Sequence, residues 1–219
     1  MNMLSRELKR AIKDLRYLLN RGYPRESAVS FVSNHYRLPL SQRHLLTRCV
    51  FSDAEAAANR AKAVDMASVR GKSLGVDGYN VLITVESILT GKPIVMCDDG
   101  YVRDLRAIFG KYRKSPATSK ALKTVLMTVS EARPSEVYIL FDGQVSRSGE
   151  LAAEVRGLLE RTGLEGSAKA VKGVDFQLRG FDVAASSDRA VIERARSIWD
   201  IPGEILKRKK ARVIDLMAV

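Results

Sequence analysis

Apolar residues in the first 70 positions recur at helical spacing. Over residues 4–19 they fall three or four positions apart, and arginine and lysine fill the opposite face. Gly22 predicts the end of this helix, and Pro24 predicts the start of the next one. A third helix is predicted over about 41–51. The Ser-x-x-Glu pattern that starts at Ser52 is a capping box and opens a fourth helix. Together these helices predict a small bundle.

After residue 72 the pattern changes to short apolar runs that alternate with helical stretches. The predicted strands are 73–76, 93–97, 136–141, 168–172, 182–185 and 211–216, and the predicted helices are 118–131, 149–161 and 188–199. Residues 80–89 contain β-branched residues that favour a strand, but parallel strands need a crossover, so we predict a helix there. The alternation predicts a three-layer α/β/α domain with a mostly parallel sheet. We therefore expect two domains, a basic helical domain at 1–70 and an α/β domain at 71–219.

The charge of the chain changes the functional expectation. The net charge is +12, and residues 1–72 contain 14 Lys or Arg against 6 Asp or Glu. A basic excess of this size favours a polyanionic partner, with nucleic acid ahead of a membrane surface. The excess of basic residues could instead serve solubility alone, and the charge by itself does not exclude this alternative.

Several classes of protein do not fit the sequence. No apolar run approaches membrane-spanning length, and the charged N-terminus differs from a secretory signal, so we expect a cytoplasmic protein without a membrane partner. Cys49 and Cys97 are isolated, which favours two buried thiols over a disulfide. Two histidines are too few for a histidine-rich metal centre. Neither a phosphate-binding P-loop nor a dinucleotide-binding GxGxxG pattern is present.

Aspartates follow the predicted strands at the points where the strands end. Asp77 and Asn80 follow strand 73–76, and Asp142 follows strand 136–141. The carboxyl ends of parallel strands meet at one crevice, where converging carboxylates repel one another unless a cation lies between them. Oxygen ligands suit Mg²⁺ or Mn²⁺. The alternative for Asp77-Gly78 is an ordinary turn.

The other acids have stronger structural alternatives. Asp98 and Asp99 are adjacent and point to opposite faces of an extended chain, so at most one faces a metal, and we prefer Asp99. Asp104 lies beside Arg103 and is equally suited to a salt bridge. Asp188, after two serines, fits the N-terminus of a helix as well as it fits a site.

Two polar segments near these acids are candidates for substrate binding. Ser146 and Ser148 precede a predicted helix, whose N-terminus could hold a phosphate, although an N-cap explains a serine there equally well. Lys111, Arg113 and Lys114 form a basic stretch with an aromatic residue, which suits a polyanionic substrate. The alternative is a flexible surface loop.

The residues also resemble two known families. The segment 14–24, with 32–36 and 41–43, is similar to a mostly archaeal family called domain of unknown function 434. The remainder resembles a PIN-like or NYN-like domain. The matching positions are Asp77-Gly78-Tyr79-Asn80, 99–104, Asp142, 146–152 and Ser187-Asp188.

The second resemblance implies a ribonuclease that binds Mg²⁺ or Mn²⁺ through acids at strand ends. It implies metal carboxylates at Asp77, Asp99 or Asp104, Asp142 and Asp188, with Asn80 as polar support. One position departs from the family, because many PIN nucleases carry a glutamate on a helix in the middle of the domain. The predicted helix 118–131 offers only Glu131, at its far end.

The leading hypothesis is a metal-dependent ribonuclease with RNA as its partner. Its catalytic candidates are Asp77, Asp99, Asp104, Asp142 and Asp188. Its substrate-binding candidates are Asn80, Lys111, Arg113, Lys114, Ser146 and Ser148. A non-catalytic RNA-binding protein with a degenerate PIN-like domain is the second hypothesis, and a small nucleotide phosphohydrolase is the third. A homo-oligomer is compatible with each.

Overall fold

The computed structural model describes residues 4–106, 112–209 and 211–219. In these ranges the α-helices are α1 (Arg6–Asn20), α2 (Arg25–His35), α3 (Leu40–Cys49), α4 (Asp53–Arg60), α5 (Gly78–Leu89), α6 (Pro116–Ala132), α7 (Ser148–Thr162), α8 (Val174–Leu178), α9 (Arg189–Arg194) and α10 (Ile201–Lys207). The strands are β1 (Ala63–Val64), β2 (Ser73–Asp77), β3 (Ile94–Met96), β4 (Val102–Asp104), β5 (Glu136–Asp142), β6 (Gly166–Val171), β7 (Val183–Ala185), β8 (Ile198–Trp199) and β9 (Val213–Asp215).

The chain divides into two compact units. The first unit contains Met1–Ala61, Pro93–Ala107 and Arg212–Val219, and the second contains Lys62–Lys92 and Ile108–Ala211. The first unit therefore joins the N-terminal helices to two later segments of the chain.

The first unit packs α1 to α4 with a small sheet around one apolar core. Helix α1 begins where the Ser5 hydroxyl accepts a hydrogen bond from the N–H of Leu8, and it buries Leu8, Ile12 and Leu15. In the sheet, β3 pairs antiparallel with β4 and parallel with β9. The predicted strands 93–97 and 211–216 thus pair with each other in this unit, apart from the large sheet. Periodicity predicts that a strand exists, but its partner depends on contacts that are distant in sequence.

The second unit is built on a parallel sheet of six described strands in the order β1-β8-β7-β2-β5-β6. Strand β2 is central, with β7 on one side and β5 on the other, and both pairings are parallel. Its residues 74–76 are fully buried. A near-continuous apolar strand of this kind is typical of a parallel sheet covered on both faces.

Helices cover both faces of this sheet. Gly75 and Tyr138 are register partners on one face, where a Cβ at position 75 would lie 2.4 Å from the Phe181 ring. Phe141 has the opposite parity on β5, so it lies on the other face, where its ring meets Tyr79 of α5 at a centroid distance of 5.1 Å. The predicted α/β class, with a helical N-terminal region and a mostly parallel sheet, is confirmed.

Of the helices predicted over 80–89 and 188–199, the first forms as expected and the second does not. The helix chosen for the ambiguous residues 80–89 is confirmed by α5. The prediction of a continuous helix over 188–199 is wrong, because α9 ends at Arg194 and the chain then forms β8. There, Ile198 donates its N–H to the carbonyl of Lys62, the residue before β1, at 2.7 Å, and the local pattern does not contain this contact.

No helix among the described residues combines the length and the apolar composition needed to cross a bilayer.

Candidate functional site

Three of the candidate acids lie at the carboxyl edge of the six-stranded sheet. Asp77 is the last residue of β2, Asp142 is the last residue of β5, and Asp188 follows β7. These strands are neighbours in the order β7-β2-β5. The sheet therefore brings together acids that are up to 111 positions apart in sequence.

Asp77 lies where burial and two neighbouring acids oppose its charge. Its Oδ2 accepts a hydrogen bond from the Ser186 hydroxyl at 2.9 Å, and its Oδ1 accepts one from the backbone N–H of Asn80 at 3.3 Å. Burial is the largest cause that raises the pKa of Asp77 from 3.8 to about 7. The charges of Asp188 and Asp142 raise this pKa further, whereas the two hydrogen bonds lower it. The charge of Asp77 therefore interacts with that of each of the other two acids.

Asn80 ties the start of α5 to the segment after β7. Its side-chain Oδ1 accepts hydrogen bonds from the Ser187 N–H at 2.8 Å and from the Ser187 hydroxyl at 3.1 Å. Ser186 also accepts a hydrogen bond from the N–H of Asp188 at 3.0 Å. The two serines, which the sequence suggested only as helix caps, therefore position both Asp77 and Asn80. Two hydroxyl residues directly after a strand are the sequence signal for this role.

Asp142 and Asp188 each use one oxygen to hold the local backbone. Asp142 Oδ1 accepts from the N–H of Gln144 at 2.9 Å, and Asp188 Oδ1 accepts from the N–H of Ala190 at 2.8 Å. Neither Oδ2 receives a hydrogen bond from a residue that the structure describes. Asp188 thus has the helix-capping role that its sequence position suggested, and in both residues the second oxygen remains available to a ligand.

The donor set at this edge suits a hard divalent cation. It consists of carboxylate oxygens. Burial is the largest cause of the raised pKa of Asp77, and a cation between the acids would relieve the smaller part that the charges of Asp188 and Asp142 contribute. Among the described residues there is no group of three or more His, Cys, Asp or Glu side chains placed closely enough to hold a metal ion. Any bound ion would therefore complete its coordination with water or substrate oxygens.

Asp99 and Asp104 belong to the first unit and are held by cations there. The Asp99 carboxylate is fully buried and accepts two hydrogen bonds from Arg103, both at 2.7 Å, and one from Asn59 at 3.1 Å. Asp104 lies 3.7 Å from a guanidinium nitrogen of Arg48. These two acids therefore belong to a different unit from Asp77, Asp142 and Asp188.

Asp98, which the sequence analysis set aside, also has a structural role in the first unit. Its carboxylate receives hydrogen bonds from Arg16 at 2.6 and 2.9 Å and from the N–H of Phe51 at 3.1 Å. These bonds join α1 to the loop before β4.

A cavity of about 930 Å³ in the second unit is lined by three of the six substrate-binding candidates, Arg113, Lys114 and Ser146. Its lining residues are Tyr79, Tyr112, Arg113, Lys114, Ser146, Arg147, Glu150, Leu151 and Glu154. Ser148 is not among them, because it is buried at the first turn of α7. Lys111 falls outside the residues that the structure describes.

The cavity is connected to the acids through Tyr79, which the sequence analysis did not select. Burial is the main cause that raises the pKa of Tyr79 to about 12, and the charge of Asp142 adds to it. Of the cations, Lys114 pairs with Glu154, and Arg147 pairs with Glu150 at 2.7 Å. Arg113 is exposed and forms no ion pair with a described residue. The cavity wall thus combines two largely buried tyrosine rings with two ion pairs and one exposed cation, Arg113.

Comparison with known proteins gives two family matches. Residues 66–204 match the family described as Domain of unknown function (DUF5616), and residues 7–62 match the one described as Protein of unknown function (DUF434). The second match confirms the resemblance found in the sequence of the N-terminal helices. No solved structure matches the chain.

One curated relative is similar over almost the whole chain. It is the protein "Uncharacterized protein MJ0935" of Methanocaldococcus jannaschii, which is 33% identical over 207 residues, or 94% of this chain and 99% of the relative. The first family match covers more than half of the chain and includes every candidate acid of the sheet edge. The chain therefore belongs to the family of domain of unknown function 5616, with a domain of unknown function 434 at its N-terminal end.

Proposed function

We propose that the second unit is a metal-dependent phosphodiester hydrolase that acts on RNA. The observation that carries this proposal is the convergence of Asp77, Asp142 and Asp188 at three adjacent strand ends, where the charges of the other two raise the pKa of Asp77. The carboxyl edge of an open parallel sheet is where such folds bind their ligands. The basic net charge of +12 favours a polyanionic substrate.

Each residue of the edge has a distinct part in the proposed reaction. Asp77 would share a divalent ion with Asp142 or with Asp188, and water or substrate oxygens would complete the coordination. A bound Mg²⁺ or Mn²⁺ supplies an activated water and stabilises the charge that develops on the phosphate. Ser186 and Asn80 fix the orientation of the Asp77 carboxylate and of the segment after β7.

The cavity beside the acids would bind the substrate. Arg113 brings to its wall a positive charge that forms no ion pair with a described residue, whereas Lys114 and Arg147 are paired with glutamates of the same wall. Tyr79 and Tyr112 bring two rings with centroids 5.2 Å apart. Both rings are largely buried, so in this proposal they shape the wall, and the phosphates of the substrate contact Arg113. The Ser146 hydroxyl in the same wall is a donor for a phosphate oxygen.

A cleavage assay tests the proposal. Labelled single-stranded RNA is incubated with the protein and Mn²⁺ or Mg²⁺, and parallel reactions contain EDTA. We expect cleavage that requires the metal and that falls by at least about 100-fold in Asp77→Asn and in Asp142→Asn, because each removes a metal ligand. The matched control is Asp65→Asn, an exposed acid of the same unit, which should cleave at the wild-type rate. Full cleavage in EDTA by the Asp77→Asn/Asp142→Asn double variant would refute the proposal.

A second candidate function is RNA binding without cleavage. It is favoured by the hydrogen bonds through which Asp77, Asp142 and Asp188 each stabilise a helix start or a turn. Binding that weakens with salt, with no metal-dependent product in the same assay, would select this function. Release of phosphate from mononucleotides, independent of RNA length, would instead select a nucleotide phosphohydrolase.

A further inference from the structure

A second groove lies in the same unit, along strands β5 and β6. It is a cavity of about 440 Å³, and we call it the β5–β6 groove. The lining residues used below are Tyr138, Leu140, Lys169, Phe176, Arg179 and Phe181. None of them lines the cavity beside Tyr79, and none is among the candidates selected from the sequence. The groove is therefore a separate surface.

The groove presents aromatic rings in an arrangement that the sheet maintains. Tyr138 and Phe181 lie with their ring centroids 5.6 Å apart. Gly75 makes this possible, because a Cβ at that position would overlap the Phe181 ring at 2.4 Å. Phe176 on α8 is 55% exposed. The groove thus offers one ring to solvent and keeps two more in its wall.

Cations lie over these rings and have no carboxylate partner. The Arg179 guanidinium is 3.5 Å from the centroid of Phe176, and the Lys169 ammonium is 5.8 Å from the centroid of Tyr138. Neither cation forms an ion pair with any residue in the described part of the chain. The acid of α8, Asp175, is instead paired with Arg194 at 3.3 Å. The charge of the groove is therefore positive and uncompensated.

The groove leads toward the acids of the sheet edge. Side chains alternate along a strand, so Tyr138, Leu140 and Asp142 share one face of β5. Leu140 is also the register partner of Lys169 on β6. At about 3.3 Å per residue, Tyr138 and Asp142 are roughly 13 Å apart along the strand. A ligand that lies on this face can therefore extend from the rings to Asp142.

We propose that the β5–β6 groove binds a single strand of nucleic acid, whose bases stack on Phe176 and Tyr138 and whose phosphates lie near Lys169 and Arg179. Every base has a face that stacks on an aromatic ring, and unpaired lysine and arginine attract the phosphates. An apolar partner would leave the two cations desolvated without a counter-charge, so the charge favours an anionic ligand. Delivery of this strand to Asp142 rests on the proposed function, whereas binding itself does not.

Fluorescence anisotropy with a labelled 12-nucleotide oligouridylate tests the groove. EDTA is present throughout, so that cleavage cannot contribute. We expect Phe176→Ala to weaken binding by about 5- to 100-fold, which is the usual loss for one stacked base. Lys169→Gln should reduce the slope of log Kd against log salt by about 0.7, the value for one phosphate contact on a single strand. A 12-base-pair RNA duplex should bind more weakly than the single strand, because its bases cannot stack on Phe176.

Phe31→Ala is the matched control, because Phe31 is 66% exposed but lies in the first unit. It should bind the oligonucleotide as the wild type does. Equal affinity of Phe176→Ala and wild type would overturn the proposal, as would equal binding of duplex and single strand. A change of oligomeric state in Phe176→Ala, measured by sedimentation, with unchanged RNA affinity would assign the surface to a second copy of the chain.

The same measurements separate this proposal from the proposed function. Binding that depends on Phe176, without metal-dependent cleavage, supports the groove and refutes the hydrolase. Cleavage that depends on Asp77, with binding indifferent to Phe176, supports the hydrolase and refutes the groove.

Discussion

Asp99→Asn should destabilise the first unit strongly, because Asp99 is half of a buried ion pair. The side chains of Arg103 and Asp99 are 3% and 0% exposed, and two hydrogen bonds of 2.7 Å join them. Asparagine keeps the shape of the side chain but removes its charge and one of its two acceptor groups. The Arg103 guanidinium, which also lies 5.1 Å from the centroid of Phe51, then remains in the core without this counter-charge.

The expected cost follows from the depth of the pair. Removing one partner of a buried ion pair typically costs about 3–5 kcal/mol. With a urea m-value of about 2 kcal/mol per M, the unfolding midpoint should fall by about 1.5–2.5 M. Urea titration followed by circular dichroism measures this shift. The double variant Asp99→Asn/Arg103→Met should recover part of the loss, because it removes both charges.

Asp53→Asn is the matched control for this experiment. Asp53 is an exposed residue of the same unit, its carboxylate accepts one hydrogen bond from Asn20, and asparagine retains an acceptor there. The shift of its unfolding midpoint should correspond to a loss of less than about 1 kcal/mol in the free energy of unfolding. An equally small shift of the unfolding midpoint in Asp99→Asn would refute the reasoning from burial. A folded and stable Asp99→Asn variant that fails to cleave RNA would instead support the catalytic role that the sequence suggested for Asp99.

Two further changes test the second unit. Because the folded-state pKa of Asp77 is raised to about 7, the folded protein retains a proton that the unfolded chain releases above about pH 4, so stability should fall between about pH 4 and 7. Asp77→Asn should therefore be more stable than wild type at pH 8 without divalent metal, by no more than about 4 kcal/mol. Thermal unfolding measures both effects, and a wild-type stability that stays constant across pH 4–8 would contradict the raised pKa. Gly75→Ala should lower the free energy of unfolding in urea by about 1–3 kcal/mol, because its Cβ would lie 2.4 Å from Phe181 and 2.8 Å from Leu178. Gly149→Ala is the control, because a Cβ there would have no neighbour within 4 Å. Equal stability of the two variants would contradict this packing.

The sequence predicted those features that depend on neighbours within a few positions. Helix α5 was predicted correctly in an ambiguous segment because parallel strands require a crossover. The helix predicted over 188–199 failed at its second half, where the N–H of Ile198 bonds to Lys62, which lies 136 positions earlier. The pairing of β3 with β9 has the same origin, since its two strands are more than 110 positions apart.

In the candidate site, too, the sequence predicted the local features, and the tertiary structure decided the contacts between distant residues. Asp77 and Asp142 were predicted to be neighbours because both follow apolar strands, and the pairing of β2 with β5 places them at one edge. Asp99 also follows an apolar strand in the sequence, and only its contacts with Arg103 and Asn59 distinguish it from the other two. The hydrogen bond from Ser186 to Asp77 also joins residues 109 positions apart.

By itself, the sequence determined most of the longer helices and strands, where the basic charge lies and which acids follow a strand, because these properties reside in the local order of residues. The tertiary structure decided which acids share an edge, which are neutralised by a buried arginine, and where rings and unpaired cations meet in the β5–β6 groove. Those outcomes depend on distances between residues far apart in the chain, and only the folded backbone sets such distances.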